Sequence, residues 1–413
     1  MENTSIAIIG GGASGLIAAL SLAERGLQDR IAVFERLDRV GKKLIATGNG
    51  QGNLYNAEDG AEHYRNGAFA RAALARYGAE SCAAFYRSLG ILPVVRQDGR
   101  AYPAGLQASA VLDLMRAKLA WHGVRVETGK RVEKLEKRGK GFLLSFGQEK
   151  VYAERVLLAA GGRAAPQFGT DGTAYALAEG LGHTVTKTFP SLVQLTTERE
   201  PIRGLKGVKA EGIASVVRGG REAKRARGEI LFTDYGVSGN AVFSVSGAAA
   251  EGNATLVLSF LPDIAEKTLE ALLAEKQKLP YLPAEELLSG ILPKQLGRAV
   301  VRRAGASPAR IAETAKHFSL KVTGTLGFSA AQVTRGGIPV EEANPDTMES
   351  RIVPNLFFAG EILDVDGDCG GYNLQWAWAS AHAAAAAIAE SLGGEHHERC
   401  ERRKQPERKR DKR

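Results

Sequence analysis

The sequence is poor in residues that would build a metal centre or a disulfide framework. Its three cysteines, Cys82, Cys369 and Cys400, are far apart and odd in number. They therefore indicate neither a set of disulfides nor a zinc site. The seven histidines also lack the spacing of metal ligands. We predict no metal.

Long apolar runs are missing as well. No uninterrupted stretch is long enough to cross a bilayer, and glycines break the apolar segment near the N-terminus. The first predicted strand begins within a few residues of Met1, which leaves no room for a signal peptide. We expect a cytoplasmic protein without a membrane partner.

The body of the chain also lacks a strong excess of basic residues. The net charge is +9, but residues 396–413 contribute +5 of it, which leaves about +4 for the rest. A nearly neutral body makes a nucleic-acid partner unlikely. The tail has almost no apolar residues and is predicted to be disordered. It is either a solvated extension or a weak contact for RNA or anionic membrane.

Glycine, by contrast, is abundant, with 49 residues. The first glycine-rich turn joins a predicted strand to a predicted helix near the N-terminus. The β-branched run at 6–9 predicts a buried parallel strand. Gly10, Gly12 and Gly15 then form a G-x-G-x-x-G turn that opens a helix at Ala13 and Ser14. The free N–H groups and the positive end of that helix favour a bound phosphate.

Glu35 completes this dinucleotide fingerprint. It lies 20 residues after Gly15 and ends the next apolar strand, at 31–34. A carboxylate there accepts hydrogen bonds from ribose hydroxyls and repels a 2′-phosphate. The pattern predicts FAD or NAD rather than NADP. The competing interpretation is a glycine turn that only joins a strand to a helix.

Two further segments are predicted to lie along the cofactor. The first is the loop at 39–56, rich in glycine, lysine and asparagine, which is either a polyanion-facing loop or a flexible surface loop. The second is the buried strand at 155–158, whose end at Ala160 and Gly161 allows a close backbone approach. Taken alone, that second segment is simply a strand end.

The middle of the chain changes character. Short β-branched runs from about 190 predict an antiparallel sheet or small barrel, and 262–318 predicts helices between prolines. We predict an α/β fold with a Rossmann-like FAD-binding domain at 1–190 and 341–395. A β-rich, barrel-like insert at 191–261 and 319–340 and a small helical subdomain at 262–318 interrupt it. Residues 396–413 form the basic disordered tail.

A second glycine-rich turn follows the apolar strand at 355–359. Gly360 and Glu361 end that strand, and Gly371, Tyr372 and Asn373 open an alanine-rich helix predicted to run to Glu390. A helix N-terminus there is suited to the polar edge of a flavin ring, near N1 and the C2 carbonyl. The alternative is a packing helix that carries core tryptophans.

These segments together resemble the two-dinucleotide-binding-domain flavoproteins. More narrowly, residues 5–390 resemble the bacterial NAD(P)/FAD-dependent oxidoreductase family that includes aminoacetone oxidases and bile-acid dehydro-reductases. The markers are the segments 41–44, 48–56, 170–172, 232–239, 345–350 and 359–378. The last is the most specific, with Ala-Gly-Glu, Asp-x-Asp-Gly and Gly-Gly-Tyr-Asn-x-Gln-Trp-Ala.

The resemblance implies bound FAD, with Gly360 and Glu361 near its ribityl or diphosphate part and Gly371–Asn373 at the isoalloxazine edge. The full predicted cofactor site is Gly10, Gly12, Ala13, Ser14, Gly15, Glu35, Arg36, Lys42, Lys43, Leu44, Gly48, Asn49, Asn53, Val132, Ala160, Gly161, Gly360, Glu361, Gly371, Tyr372 and Asn373.

The chain departs from the family pattern at two places. Gln51-Gly52 stands where the family commonly has Arg-Cys, and Asn240 stands where a proline is usual. The missing arginine puts one charged contact to cofactor or substrate in doubt.

The favoured function is an FAD-dependent oxidoreductase that transfers hydride through flavin N5. Its substrate is a small organic molecule, either an amine or an enone or steroid-like carbonyl compound. NAD(P)H at a transient site is a potential electron donor, and reoxidation by oxygen is the other option. No residue is fixed as catalytic, and the candidates are Lys43, Tyr235 and Tyr372.

The sequence leaves two other functions open. The first is a flavin-containing RNA-modifying or RNA-associated protein, which the near-neutral body of the chain disfavours. The second is a plain NAD-dependent dehydrogenase, which leaves the second glycine-rich helix start unexplained.

Overall fold

The computed structural model describes residues 2–58 and 60–404, with 393–404 described as backbone alone. Backbone contacts group the chain into two units. The first comprises the chain up to Gly162, Phe168–Thr186 and the chain from Gly336 onward. The second comprises Arg163–Gln167 and Lys187–Arg335. The first unit is thus built from both ends of the polypeptide.

The strands and helices follow in chain order. Those before residue 187 are β1 (Glu2–Ile9), α1 (Ala13–Ala23), β2 (Ile31–Phe34), α2 (Lys42–Ile45), β3 (Tyr55–Asn56), α3 (Gly67–Arg76), α4 (Ala79–Ser88), β4 (Pro93–Val95), β5 (Arg100–Pro103), α5 (Ala108–Trp121), β6 (Arg125–Glu127), β7 (Lys134–Arg138), β8 (Gly141–Phe146), β9 (Glu149–Leu158) and α6 (Thr173–Glu179). The second unit contains β10 (Phe189–Ser191), β11 (Leu195–Thr197), β12 (Lys209–Arg218), β13 (Arg221–Phe232), β14 (Gly236–Ser238), α7 (Asn240–Ala250), β15 (Ala254–Ser259), α8 (Glu266–Gln277), α9 (Lys294–Ala304), α10 (Pro308–Lys316), β16 (Phe318–Thr325) and β17 (Val333–Arg335). The return to the first unit adds β18 (Leu356–Phe358) and α11 (Tyr372–Lys404).

Among the described residues, a seven-stranded sheet forms the centre of the first unit, in the order β6-β2-β1-β9-β8-β7 with β18 also paired to β9. Strands β6, β2, β1, β9 and β18 are parallel, whereas β7, β8 and β9 form an antiparallel meander. Ile9 pairs with both Phe34 and Leu158, and Leu158 pairs with Phe358. The carboxyl ends of these strands therefore meet at one edge, where doubly wound sheets bind ligands.

The core of the first unit explains why its strands are apolar throughout. Residues 6–9 of β1 and all of β2 are buried, as expected for parallel strands covered on both faces. Helix α1 is buried from Ser14 to Ala23 and packs against α11. The tryptophans of α11, Trp376 and Trp378, are 1% exposed, so both are core residues.

The second unit is built on a closed antiparallel barrel, whose strands in the described chain are β11-β14-β13-β12-β15-β16. Strand β15 alternates buried and half-buried residues, with Leu256 and Leu258 pointing inward. Helices α8, α9 and α10 share one hydrophobic core with the barrel. This architecture confirms the predicted fold class of a Rossmann-like domain interrupted by a barrel-like insert and a helical segment. The exact domain boundaries stay predictions, because backbone contacts do not separate α8–α10 from the barrel.

The final helix is longer than predicted. α11 ends at Lys404 rather than near Glu390, so the backbone of 396–404 is helical where disorder was expected. The reason is that the glutamates, arginines and lysine that follow the alanine-rich segment are good helix formers. The remainder of the predicted tail, 405–413, lies outside the described residues.

Candidate dinucleotide-binding site

The glycine turn between β1 and α1 has two positions where a side chain would not fit. Gly10 has φ of +108°, and a Cβ there would lie 2.6 Å from the carbonyl oxygen of Ala159 and from the Cα of Ala160. A Cβ on Gly15 would lie 1.9 Å from the carbonyl oxygen of Gly10. These glycines let α1 pack closely on the sheet edge.

Gly12 has a different environment. It is extended, with φ of −79°, and a Cβ on it would meet no protein atom within 4 Å. Gly12 caps α1 without a side-chain hydrogen bond, and its carbonyl accepts the N–H of Leu16. The N–H groups of the first turn have no acceptor within the helix, and together with the space beside Gly12 they form an arrangement suited to a phosphate.

Glu35 lies at the carboxyl end of β2, beside this turn, and is 9% exposed. Its Oε2 accepts the N–H of Gly11 at 2.8 Å, and its Oε1 accepts the N–H of Leu37 at 2.9 Å. The two bonds fix the carboxylate in place. Each carboxylate oxygen has a further acceptor position, so ribose hydroxyls can still bind.

The neighbouring Arg36 is held by another carboxylate. Its Nη1 lies 2.7 Å from Oδ1 of Asp171, which also accepts the hydroxyl of Thr173. Burial opposes ionisation of Asp171, but the hydrogen bonds from Arg36 and Thr173 outweigh it and lower its pKa to about 2. The predicted cofactor contact of Arg36 stays a prediction.

The second glycine-rich turn packs directly on the first. Gly360 has φ of +76°, and a Cβ there would lie 2.9 Å from the Oγ of Ser14. Its N–H donates to Oγ of Ser380 at 2.9 Å, and its carbonyl accepts Nε1–H of Trp376 at 3.2 Å. Helix α11 therefore holds this turn against the start of α1, which brings the two predicted motifs together.

The two lysines of the loop after β2 form different ion pairs. Nζ of Lys43 lies 2.7 Å from Oε2 of Glu361, and both side chains are mostly buried. Lys42 pairs with Asp38, whose side chain is exposed. Further along the loop, Gly48 and Asn49 are both left-handed, with φ of 57° and 54°, and the predicted approach of this loop to the cofactor stays a prediction.

The start of α11 is shaped by Gly371, which has φ of +105° and caps the helix. A Cβ there would lie 2.6 Å from the carbonyl of Tyr55 and 2.8 Å from Oδ1 of Asn53. The amide of Asn373 is used within the protein, because it accepts the N–H of Gly367 and donates to the carbonyl of the same residue, both at 2.8 Å. The predicted contact of Asn373 with the flavin edge stays a prediction.

The three catalytic candidates lie in different surroundings. Lys43 forms the ion pair with Glu361. The ring of Tyr372 is buried and stacks on His63 at 4.3 Å, and burial, with nearby Glu58 and Asp368, raises its pKa far above the usual value. Tyr235 is half-buried in the second unit, between β13 and β14. Their catalytic roles stay predictions.

The other predicted cofactor residues lie in the same first unit. Leu44 and Val132 are buried core side chains, and Gly161 is left-handed beside Thr170. Sequence reasoning assigned no role to Ser380 and Gln375 of α11, which contact the second turn and the strand β3 through Gly360 and Asn56. Gln375 belongs to the most specific family marker, whereas Ser380 stands in an alanine-rich helix where no spacing signal separates it from core positions.

Comparison with known proteins identifies the family. A family model described as HI0933-like protein Rossmann domain matches residues 4–387. The chain belongs to the HI0933-like family. This confirms the resemblance inferred from the sequence, and the glycine turns described above lie within the matched range.

The HI0933-like chain has relatives with different named activities. It is 37% identical to a 3-dehydro-bile acid delta(4,6)-reductase of Clostridium scindens, over 93% of this chain and 99% of the relative. It is 29% identical to a ribosomal RNA dihydrouridine synthase of Escherichia coli, over 93% and 98%. A solved 3-ketosteroid-delta4-(5alpha)-dehydrogenase of Rhodococcus jostii is 17% identical, with a TM-score of 0.48, over 94% of this chain and 97% of that one.

Among the side chains of residues 2–58 and 60–392, no three His, Cys, Asp or Glu cluster closely enough to hold a metal ion. No helix in the same ranges has the length and apolar character needed to cross a membrane.

Proposed function

We propose that this FAD-dependent oxidoreductase reduces a carbon–carbon double bond conjugated to a carbonyl group in a steroid-like small molecule. The observation that carries the proposal is the 37% identity, over nearly the whole of both chains, with a protein named as a bile-acid delta(4,6)-reductase. Such a substrate is an enone, one of the two substrate classes that the sequence left open. The amine alternative has no comparable support.

The first unit fits FAD through its own shape. The space above Gly12 and the free first turn of α1 suit a diphosphate, and Glu35 is held where an adenosine ribose would reach it. Gly360 is held by Ser380 and Trp376 of α11, and this brings the N-terminal end of α11 to the same region as the start of α1. When bound, FAD supplies hydride transfer at N5, and the protein supplies position, electrostatics and exclusion of water.

The proton that accompanies hydride transfer needs a donor on the protein. Tyr372 is a poor choice, because its ring is buried and stacked on His63. Lys43 lies in the same unit as the glycine turns, paired with Glu361 at 2.7 Å, and Tyr235 stays a candidate from the sequence alone. A general acid of this kind contributes about 10²- to 10⁴-fold to the rate.

An anaerobic spectroscopic experiment tests the proposal. The purified chain should show two flavin absorbance bands that bleach with NADH or NADPH. Addition of a 3-oxo-Δ4 steroid should then restore the bands in proportion to the steroid added. A saturated 3-oxo steroid is the control and should restore nothing. Bands that recolour only on admission of air would reject the reductase and favour an oxidase.

A second candidate follows from the relative named as a ribosomal RNA dihydrouridine synthase. Dihydrouridine is uridine whose C5=C6 bond, conjugated to the C4 carbonyl, has been reduced. The same flavin chemistry could therefore act on RNA. Reoxidation of the reduced enzyme by unmodified ribosomal RNA, with loss of uridine and no response to the steroid, would favour this candidate. RNA binding without a steep salt dependence would count against it.

A further inference from the structure

Two buried polar atoms beside the start of α11 have no hydrogen-bond partner among the described residues. They are the acceptor Oδ1 of Asn53 and the donor Nε2 of Gln375. Gln375 is completely buried, and its Oε1 accepts the N–H of Asn56 at 3.2 Å. This bond fixes the orientation of the amide, so the donor end of Gln375 is the end without a partner.

Both atoms lie at the N-terminus of α11. Oδ1 of Asn53 lies 2.8 Å from the position of a Cβ on Gly371, the residue that caps the helix. The N–H of Gln375 donates to the carbonyl of Gly371 at 3.0 Å, which is the first hydrogen bond of the helix. The N–H groups of the preceding turn have no acceptor within the helix. The start of α11 thus brings together one unpartnered acceptor, one unpartnered side-chain donor and the N–H groups of the first turn.

We propose that Asn53 and Gln375 bind the pyrimidine edge of the isoalloxazine ring, an inference that rests on the proposed function. That edge presents the C2 carbonyl, the N3–H and the C4 carbonyl, which is acceptor, donor, acceptor. The N3–H donates to Oδ1 of Asn53. One ring carbonyl accepts from Nε2 of Gln375, and the other accepts from the N–H groups of the first turn of α11. The edge therefore complements the two side-chain atoms and the helix end.

The two ends of the Gln375 amide allow flavin binding to be distinguished from a purely structural role of this residue. Gln375 also holds Asn56 through its Oε1, and Asn56 in turn donates to the carbonyl of Gly370 at 3.0 Å. A glutamate at position 375 keeps an acceptor for Asn56 but replaces the donor with an anion. If Gln375 only held Asn56, Gln375→Glu would be nearly neutral for flavin.

The first test uses FAD whose N3 carries a methyl group, titrated into the full-length chain by quenching of flavin fluorescence. In the native chain the methyl group should weaken binding at least tenfold relative to FAD. In Asn53→Ala and Asn53→Ser the two cofactors should differ less than threefold. Asn355→Ala is the matched control, because the amide of Asn355 bonds the carbonyl of Lys140, and it should keep the native penalty.

The second test measures the flavin midpoint potential of Gln375→Glu. The added negative charge beside the ring should make the potential more negative and should weaken FAD binding. FAD that binds with equal affinity with and without the methyl group, together with an unchanged potential in Gln375→Glu, would overturn the inference and leave the proposed function intact. A native chain that binds no FAD at all would instead overturn the proposed function, and this inference with it.

Discussion

Nζ of Lys43 lies 2.7 Å from Oε2 of Glu361, with side chains only 27% and 18% exposed. Lys43 belongs to α2, which follows β2, and Glu361 follows β18 near the other end of the chain. The pair places one ammonium and one carboxylate at the sheet edge where the two glycine turns meet. The ammonium therefore neutralises a carboxylate that would otherwise repel an anionic cofactor.

The first prediction concerns this ion pair. Lys43→Met should destabilise the protein and weaken FAD binding, because Glu361 keeps its charge in a mostly buried place. The double variant Lys43→Met with Glu361→Gln should recover part of both losses. We expect a coupling free energy of about 1–2 kcal/mol in a double-mutant cycle measured by urea unfolding.

The adjacent lysine gives a matched control for the pair. Lys42 lies next to Lys43 but pairs with Asp38, whose side chain is exposed. Lys42→Met with Asp38→Asn should show no measurable coupling, since water screens exposed charges. Equal coupling in both cycles would contradict a special role for Lys43 and Glu361.

The second prediction separates two glycines of one motif. Gly15→Ala should destabilise the protein by about 3 kcal/mol, because the new Cβ would overlap the carbonyl oxygen of Gly10. Gly12→Ala should leave the free energy of unfolding nearly unchanged, because nothing lies within 4 Å of its Cβ. It should nevertheless weaken FAD binding at least tenfold, by occupying the space meant for the diphosphate.

The two glycine variants are compared by urea unfolding without added FAD and by flavin fluorescence titration. We expect Gly15→Ala to lower the free energy of unfolding and Gly12→Ala to lower the affinity for FAD. A Gly12→Ala variant that binds FAD as tightly as the native chain would show that the diphosphate does not approach this residue.

The sequence predicted this motif because its parts are local. A buried strand, a glycine turn and a helix start occupy ten consecutive residues, and each has its own propensity signal. The meeting of Ser14 with Gly360 was not predictable in the same way. It depends on β9 pairing with both β1 and β18, a register that composition and periodicity do not encode.

The sequence also did not show which side chains of the site are hydrogen-bonded to other groups of the protein. The sequence offered Asn373 as a residue for the flavin face, but its amide bonds Gly367. Gln375 stood in the most specific family marker, but the marker did not show which atoms of its amide are used within the protein. Whether a buried polar side chain is available to a ligand depends on the hydrogen-bond partners it already has, and only the folded structure shows them.

The third prediction concerns Glu35. Glu35→Ala should destabilise the protein by about 2 kcal/mol even without FAD, because the N–H groups of Gly11 and Leu37 lose their acceptor. It should also reduce the extra stability gained on adding FAD, which corresponds to about tenfold weaker binding. Thermal unfolding with and without FAD separates the two effects. An unchanged gain on adding FAD would restrict Glu35 to a structural role.

The fourth prediction concerns pH. His382 is buried against Trp378 and Tyr77, with Nδ1 3.1 Å from Oγ of Ser21. Burial, assisted by the positive charge of Arg25, lowers its pKa to about 3. As the pH falls, His382 is therefore protonated in the unfolded chain before it is protonated in the folded one. Its contribution to the free energy of unfolding is complete above about pH 6.5 and is lost as the pH falls toward 3.

Between pH 7 and pH 5 this one group should cost the native protein about 2 kcal/mol of unfolding free energy. His382→Gln keeps a polar partner for Ser21 but does not titrate, so its urea midpoint should fall less over the same range. His317→Gln removes an exposed histidine and is the control for the same replacement made outside this buried cluster. Parallel curves for the native protein and His382→Gln would mean that His382 accepts its proton without unfolding the chain.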